Sequence, residues 1–567
     1  MYLFHLFRSF LPNLNPIGFS AADFIEIFVT SVFVLLAFLS RSRITEYARR
    51  FAQRTGWCML FLAVLPIALR LALLPQYPIP TPNVSDDFSY ILIADTLRHF
   101  RLANPPHPLH QFFETFFALQ EPAYASIFPL GQGLVIALGW TIFGHPWAGV
   151  ALSIGALCAL CYWMLRAWVT PGWALIGGLL AVIEFGPLNQ WMNSYWGGAV
   201  SGCAGCLVFG ALPRLRDSAR PRNAALLGLG LALQLLTRPF ESIFLLLSVG
   251  LFFMPNLPDL RRLARPVAIA SLVVVPAIGL MLVQNYQVTR SWTTLPYQLS
   301  RYQYGVPTTF TIQPIPVPHQ PLTREQQLDY DAQSEAHGTG SDTFASYWTR
   351  WASRIGFYRF FLLAPLYLIL PAFLFTLREY RFAWAAVTIL LFSLGTNFYP
   401  YFYPHYIAAL TGLFVLIAVV GLEKLGTWTI RGTAVGSDCA LILLFLCATH
   451  FIFWYGLRLS RNEDLVTALA PYESSDAINH GDPQGRISIR KALEAAPGQQ
   501  LVFVRYWPPH EFQEWVHNAA DIDHARIIWA RDLGAEENQK LLRYYPQRTA
   551  WLLEPDARPP RLTRYGR

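Results

Sequence analysis

Over residues 20–457 apolar stretches alternate with polar ones, and the polar ones differ from each other in a regular way. The apolar stretches fall at 24–39, 57–74, 147–168, 171–187, 191–212, 222–237, 242–256, 266–284, 356–377, 382–398, 405–422 and 436–457. Most come close to the ~20 residues that a helix needs to cross a ~30 Å hydrocarbon layer. Every second polar stretch is basic. In chain order these carry Arg41, Arg43, Arg49, Arg50 and Arg54; Arg166; Arg214, Arg216, Arg220 and Arg222; Arg261, Arg262 and Arg265; Arg378 and Arg381; and Lys424 and Arg431. Basic loops stay on the cytoplasmic side of a membrane. The pattern therefore predicts a mainly α, polytopic membrane protein with about 12 transmembrane helices over 1–457.

This alternation also assigns the other loops to the outside. The first external loop runs over 76–146 and the largest over 285–355. The apolar segment 129–143 is the doubtful one, because letting it span would exchange the sides of every later basic loop. It is short, Gly131, Gln132 and Gly133 interrupt it, and it reads as lying in the interface or re-entering. Residues 1–20 read as an interfacial lead-in, without the basic start and small-residue cleavage site of a signal peptide. The loop at 285–355 is long, polar and Pro-rich, which suits either a functional lid or a partly disordered segment. Beyond 457 the composition becomes that of a soluble domain. Strand-like runs at 501–505, 526–530 and 549–553 alternate with helical patterns at 509–517 and 535–544, predicting a small extracytoplasmic α/β module over 458–567.

Composition supports the membrane reading: 54% of the residues are hydrophobic and 14% charged. The formal net charge of +8 would otherwise suggest nucleic acid. Its arginines sit where topology needs them, so no nucleic-acid partner is expected and membrane lipids are. Cys158/Cys161 and Cys203/Cys206 have CxxC spacing, but they lie inside apolar runs and read as small packing residues.

Candidate chemistry begins at Ser85-Asp86-Asp87, which opens a short helical run just outside the second span. Ser85 would serve as its cap, with the two carboxylates favoured by the helix dipole. Capping and catalysis are compatible readings. Other polar groups fall at the same depth: Glu121, Arg238 and Glu241, the polar-aromatic stretch with Tyr195 and Trp196, and Tyr403 and His405 in the run NFYPYFYPHY. Arg238 is unusual, because topology gives no reason for an outer-face arginine, although it could simply pair with Glu241 three positions along a helix. A base beside a phosphate-binding arginine at the lipid boundary suits the transfer of a sugar from a lipid-phosphate carrier. The acceptor needs a general base and the departing phosphate needs a cation.

The order of hydrophobic segments, the acidic pair opening the first external loop, and the run from Pro129-Leu130-Gly131-Gln132-Gly133 to His145-Pro146-Trp147 together resemble the GT-C integral membrane glycosyltransferases. That class includes protein O-mannosyltransferases and the aminoarabinose transferases of lipid A. The resemblance covers roughly 57–457. It implies that Asp86 is the catalytic base, that Asp87 orients the acceptor or a metal, and that a single displacement inverts the anomeric carbon. It further implies a lipid-linked sugar donor, a glycan, lipid or protein acceptor, and an inner-membrane location. Arg238, Glu241, Glu121, His405, Tyr403 and Tyr195 are the candidates for donor-phosphate or acceptor binding. No metal site is assigned, and a divalent cation is compatible with the reading without being required by it. The chain departs from the family where a proline pair would stand, at Phe128-Pro129-Leu130. Two other classes remain open: a transporter or flippase, with Glu184 as its interior acid, and an envelope scaffold that recruits partners through 458–567.

Overall fold

The protein is described by a computed structural model covering residues 21–82, 84–255, 260–459 and 485–566. The expected lead-in at 1–20, Asn83 and the first part of the C-terminal module lie outside the described residues. Five described helices are long and apolar enough to cross a membrane: Thr55–Ala72 (α2), Trp147–Leu165 (α5), Leu263–Thr289, Pro404–Gly426 and Val435–Leu459. A sixth is added if Phe344–Phe361 and Ala364–Leu374, bent by 110°, form one span. Other apolar segments form shorter helices: Leu130–Phe143 (α4), Pro171–Phe185 (α6), Pro239–Phe253 (α9) and Tyr380–Thr396 (α15). The stretch expected as one span at 356–377 is instead two 3-10 segments, Ile355–Phe361 and Ala364–Ile369, followed by the helix Leu370–Leu374 (α14). Pro365 and Pro371 each remove a backbone donor there, which favours breaks over a continuous ladder.

Three helices position the site. Ser85–Arg98 (α3) follows the exit from α2, and α4 packs between α3 and α5. At 14 residues α4 is about 21 Å long, well short of a bilayer. The glycines that interrupt its apolarity are its contact points. A Cβ on Gly131 would stand 2.2 Å from Thr237 Oγ1, one on Gly133 2.1 Å from Ile93 Cγ2, and one on Gly139 2.1 Å from Gly149 N. Absence of side chains there lets α4 touch the end of Pro221–Thr237 (α8), the flank of α3 and the start of α5 together.

The long loop at 285–355 is folded. It contains Pro296–Tyr304 (α11), Arg324–His337 (α12) and Phe344–Arg354 (α13). Tyr304 Oη donates to Glu114 Oε2 at 3.0 Å and Gln303 Nε2 to the Glu121 carbonyl at 3.0 Å, tying this loop to the first one.

Residues 485–566 build a four-stranded sheet ordered β4-β3-β5-β6, from Gln500–Val504 (β3), Ile527–Arg531 (β4), Thr549–Glu554 (β5) and Arg561–Arg564 (β6). β3 is parallel to both neighbours, and β6 runs antiparallel along β5. Helices Arg486–Ala495 and Ala535–Tyr544 precede β3 and β5. The helix expected at 509–517 does not form. Pro508 and Pro509 open that stretch, and the Trp515 and Val516 N–H groups are spent on the buried Glu514 carboxylate, each at 3.1 Å, instead of on a helical ladder. Leu501 and Phe503 of β3 share one core with Leu92 of α3 and with Phe112 and Phe113 of the first external loop. The His517 ring stacks on Phe88 at 3.8 Å, and Ala520 N–H donates to Asp95 Oδ2 at 2.8 Å.

Candidate active site around Asp86

The acidic pair divides into two roles. Val84, extended at φ −106° and ψ 159°, is the residue before the helix, so Ser85 is its first helical residue and not its cap. Asp87 is 3% exposed, and its Oδ1 accepts the Tyr195 N–H at 2.6 Å. Tyr195 donates its own hydroxyl to the Pro80 carbonyl at 2.8 Å. Nearby, the Arg70 guanidinium donates to Asn193 Oδ1 at 2.8 Å and to the Tyr77 and Pro78 carbonyls at 3.0 Å each. Asp87 thus fastens the start of α3 to the 189–196 stretch. Tyr195, 1% exposed, is buried too deeply to stack on a sugar face. Asp87→Ala leaves a buried N–H without its partner, a loss of about 1–3 kcal/mol, and a clear fall in the thermal midpoint in detergent is expected.

Asp86, next in the same turn, is half-buried, and among the described residues no other side chain hydrogen-bonds its carboxylate. Burial pushes its pKa up to about 7. The Asp87 charge adds to that rise, the Arg238 charge opposes it, and Asp329 adds a smaller push. The carboxylate is therefore available and basic near neutrality.

Arg238 stands where α8 ends and α9 begins, at the break that Pro239 imposes. Its guanidinium lies 4.9 Å over the Tyr406 ring. Among the described residues no carboxylate comes within 4.0 Å of it, so the simple pairing with Glu241 is not formed. Glu241 is 1% exposed, with Oε1 lacking a hydrogen-bond partner. The Arg238 charge acts on Asp86, Tyr90, Glu241, Tyr399 and His405. His405 is held edge-on to Trp196 at 4.7 Å and stacks with Tyr403 at 5.7 Å. Tyr403, 47% exposed, feels the Asp86 charge. Glu121 does not join the group. It is exposed, and its Oε2 lies 3.8 Å from His110 Nε2.

The structure adds residues that sequence reasoning had not selected. α12 carries Asp329, whose Oδ2 accepts from Gln333 Nε2 at 3.0 Å. The Gln333 amide oxygen accepts from Tyr401 Oη at 3.3 Å and from Thr308 N–H at 3.2 Å. Burial pushes Asp329 up to about 6. Tyr399 and Tyr401 come from the aromatic run already noted, and Tyr90 from the turn after Asp86. An Asp and a Gln at i and i+4 in the long loop were the legible sign of α12. Next to Arg238 in the chain, Leu235, Leu236 and Pro239 line a small apolar crevice with Pro129, Met281 and Tyr297. Among the described residues no three His, Cys, Asp or Glu side chains converge as metal ligands.

No family model and no curated protein matches the sequence. Among solved structures the chain is similar to ArnT from Cupriavidus metallidurans, both in the apo state and bound to undecaprenyl phosphate. Identity is 12% in each case, 88% of this chain and 93% of that chain are covered, and the TM-scores are 0.48 and 0.47. It is also similar to the archaeal oligosaccharyltransferase AglB from Archaeoglobus fulgidus in complex with an inhibitory peptide and a dolichol-phosphate. There the identity is 11%, 88% of this chain and 69% of that chain are covered, and the TM-score is 0.37. These likenesses give no residue a role.

Proposed function

We propose that the chain is an inverting glycosyltransferase of the inner membrane, moving a sugar from a polyprenyl-phosphate-linked donor to an acceptor hydroxyl or amine at the outer face. The observation that carries this reading is the pairing of Asp86, a free carboxylate basic near pH 7, with Arg238, a half-buried guanidinium that has no acid partner among the described residues.

Asp86 takes the proton from the acceptor as its oxygen or nitrogen attacks the anomeric carbon. The bond from that carbon to the phosphate oxygen breaks, and the electron pair leaves with the phosphate. Arg238 stabilises the charge that develops there. Tyr90, Tyr399 and Tyr403 offer hydroxyls to the sugar, and the Asp329 charge on α12 acts on Asp86. The C-terminal module, which this reading sets on the same outer side, shares a core with Phe112 and Phe113 of the loop at 76–146, which supports a role in holding the site over recruitment of an envelope partner.

The test is to reconstitute the full chain in vesicles and supply a panel of polyprenyl-phosphate sugars with candidate acceptors. Glycosylated acceptor and free polyprenyl phosphate should appear together, with the anomeric configuration inverted. Uptake of a solute without donor consumption would favour the transporter class instead.

A further inference from the structure

We propose that α13 lies in the headgroup boundary of the leaflet on the site's side of the membrane, and that lipid covers its apolar flank. The inference rests on the membrane spans and not on the transfer reaction, so the two stand or fall separately.

Phe344, Trp348, Trp351 and Ile355 recur at helical spacing and form one flank. Phe344 is 80% exposed, Trp348 39% and Ile355 51%. Their rings make a ridge, with Phe344 and Trp348 5.8 Å apart and Trp348 and Trp351 5.2 Å apart. A second flank is bonded to the end of α15. Tyr347 Oη donates to the Leu394 carbonyl at 2.6 Å, Arg350 Nε to Asn397 O at 2.8 Å, Arg354 to Thr396 O at 3.1 Å and to Tyr399 O at 2.5 Å. The third flank is small, polar and exposed, with Thr349, Ala352 and Ser353.

Lipid is the occupant that fits. The following arm also exposes Leu368 and Leu374, and α15 exposes Val387 and Leu390. That arm turns by 110° from the one containing α13, so the two cannot both follow the membrane normal. A helix with an apolar flank and a polar one lies in the interface plane. Both basic side chains of α13 are committed to the protein, Arg354 to carbonyls and Arg350 to Asn397 O and Asp342. Attachment therefore depends on the aromatic ridge and not on anionic lipid. Through Arg354, which donates to its carbonyl, the seat of α13 in the bilayer also fixes Tyr399, a residue within reach of the Arg238 charge.

The experiment uses the full chain in phosphatidylcholine nanodiscs, with a bimane label on Phe344→Cys or on Ser353→Cys. Background is set by the unsubstituted protein, in which Cys439 is the one described cysteine not buried. Acyl-chain doxyl lipid should quench the 344 label about fivefold more than the 353 label, iodide should show the reverse preference, and added anionic lipid should change neither. If Phe344→Cys fails to fold, Ile355→Cys reports on the same flank. Iodide quenching both positions alike would overturn the proposal, and so would shielding of position 344 from both quenchers, since protein would then be the cover.

Discussion

Asp86→Asn is expected to reduce sugar transfer by about 10³-fold, within the range for loss of a positioned general base, while leaving the protein folded. The substitution keeps the side chain's size, and no other described side chain hydrogen-bonds the carboxylate. Stability should hold or improve. The folded pKa of about 7 lies above the unfolded value near 3.9, so the folded state binds more protons between these limits. Ionising Asp86 thus costs stability progressively as pH rises from about 4 to 7, and the amide removes that cost. In the proposed reaction the base of the unsubstituted protein must be ionised, so kcat/KM for transfer should fall as pH drops through about 7. Thermal midpoints and transfer rates measured together separate the neighbours: Asp86→Asn stable and inactive, Asp87→Ala destabilised.

Arg238→Met is the second large effect. Removing a preorganised cation from a departing oxyanion costs about 3–4 kcal/mol, or roughly 10²–10³ in transfer rate. From the fold it removes the Tyr406 ring contact, worth about 0.5–1 kcal/mol, together with the charge that acts on buried Glu241. Arg238→Lys keeps the charge without the planar fork and should recover part of the rate. A thermal midpoint falling as far as that of Asp87→Ala would mark Arg238 as structural.

Local signals in the sequence led to some of these groups and missed others for identifiable reasons. Asp86, Arg238 and His405 stand out in a single stretch each: an acidic pair at a helix start, an arginine on the wrong side for topology, a histidine in an aromatic run. Which acid of the pair is free was not legible, because that depends on the Tyr195 N–H more than a hundred positions away. Asp329 looked like any loop acid until α12 folded and Gln333 held it. The alternation of basic loops found the apolar helices. It could not foresee that prolines would break 356–377 into short turns, or that the glycines of α4 mark contacts with three neighbours. In the C-terminal module the strands were readable from β-branched and aromatic runs. The stretch 509–517 misled because its polar-apolar spacing serves a buried Glu514 instead of a helix face.

Whether Arg238 receives the phosphate of a polyprenyl carrier, as proposed, can be tested without knowing the sugar. Native mass spectrometry of the solubilised full chain would compare retention of a polyprenyl phosphate with that of the matching polyprenol, in the unsubstituted protein and in Arg238→Met. A charge-assisted contact of about 1.5–3 kcal/mol predicts that the phosphate is held more than about tenfold tighter than the alcohol, and that Arg238→Met abolishes the difference. Equal retention of phosphate and alcohol by the unsubstituted protein, or a preference for phosphate that survives Arg238→Met, would contradict the account.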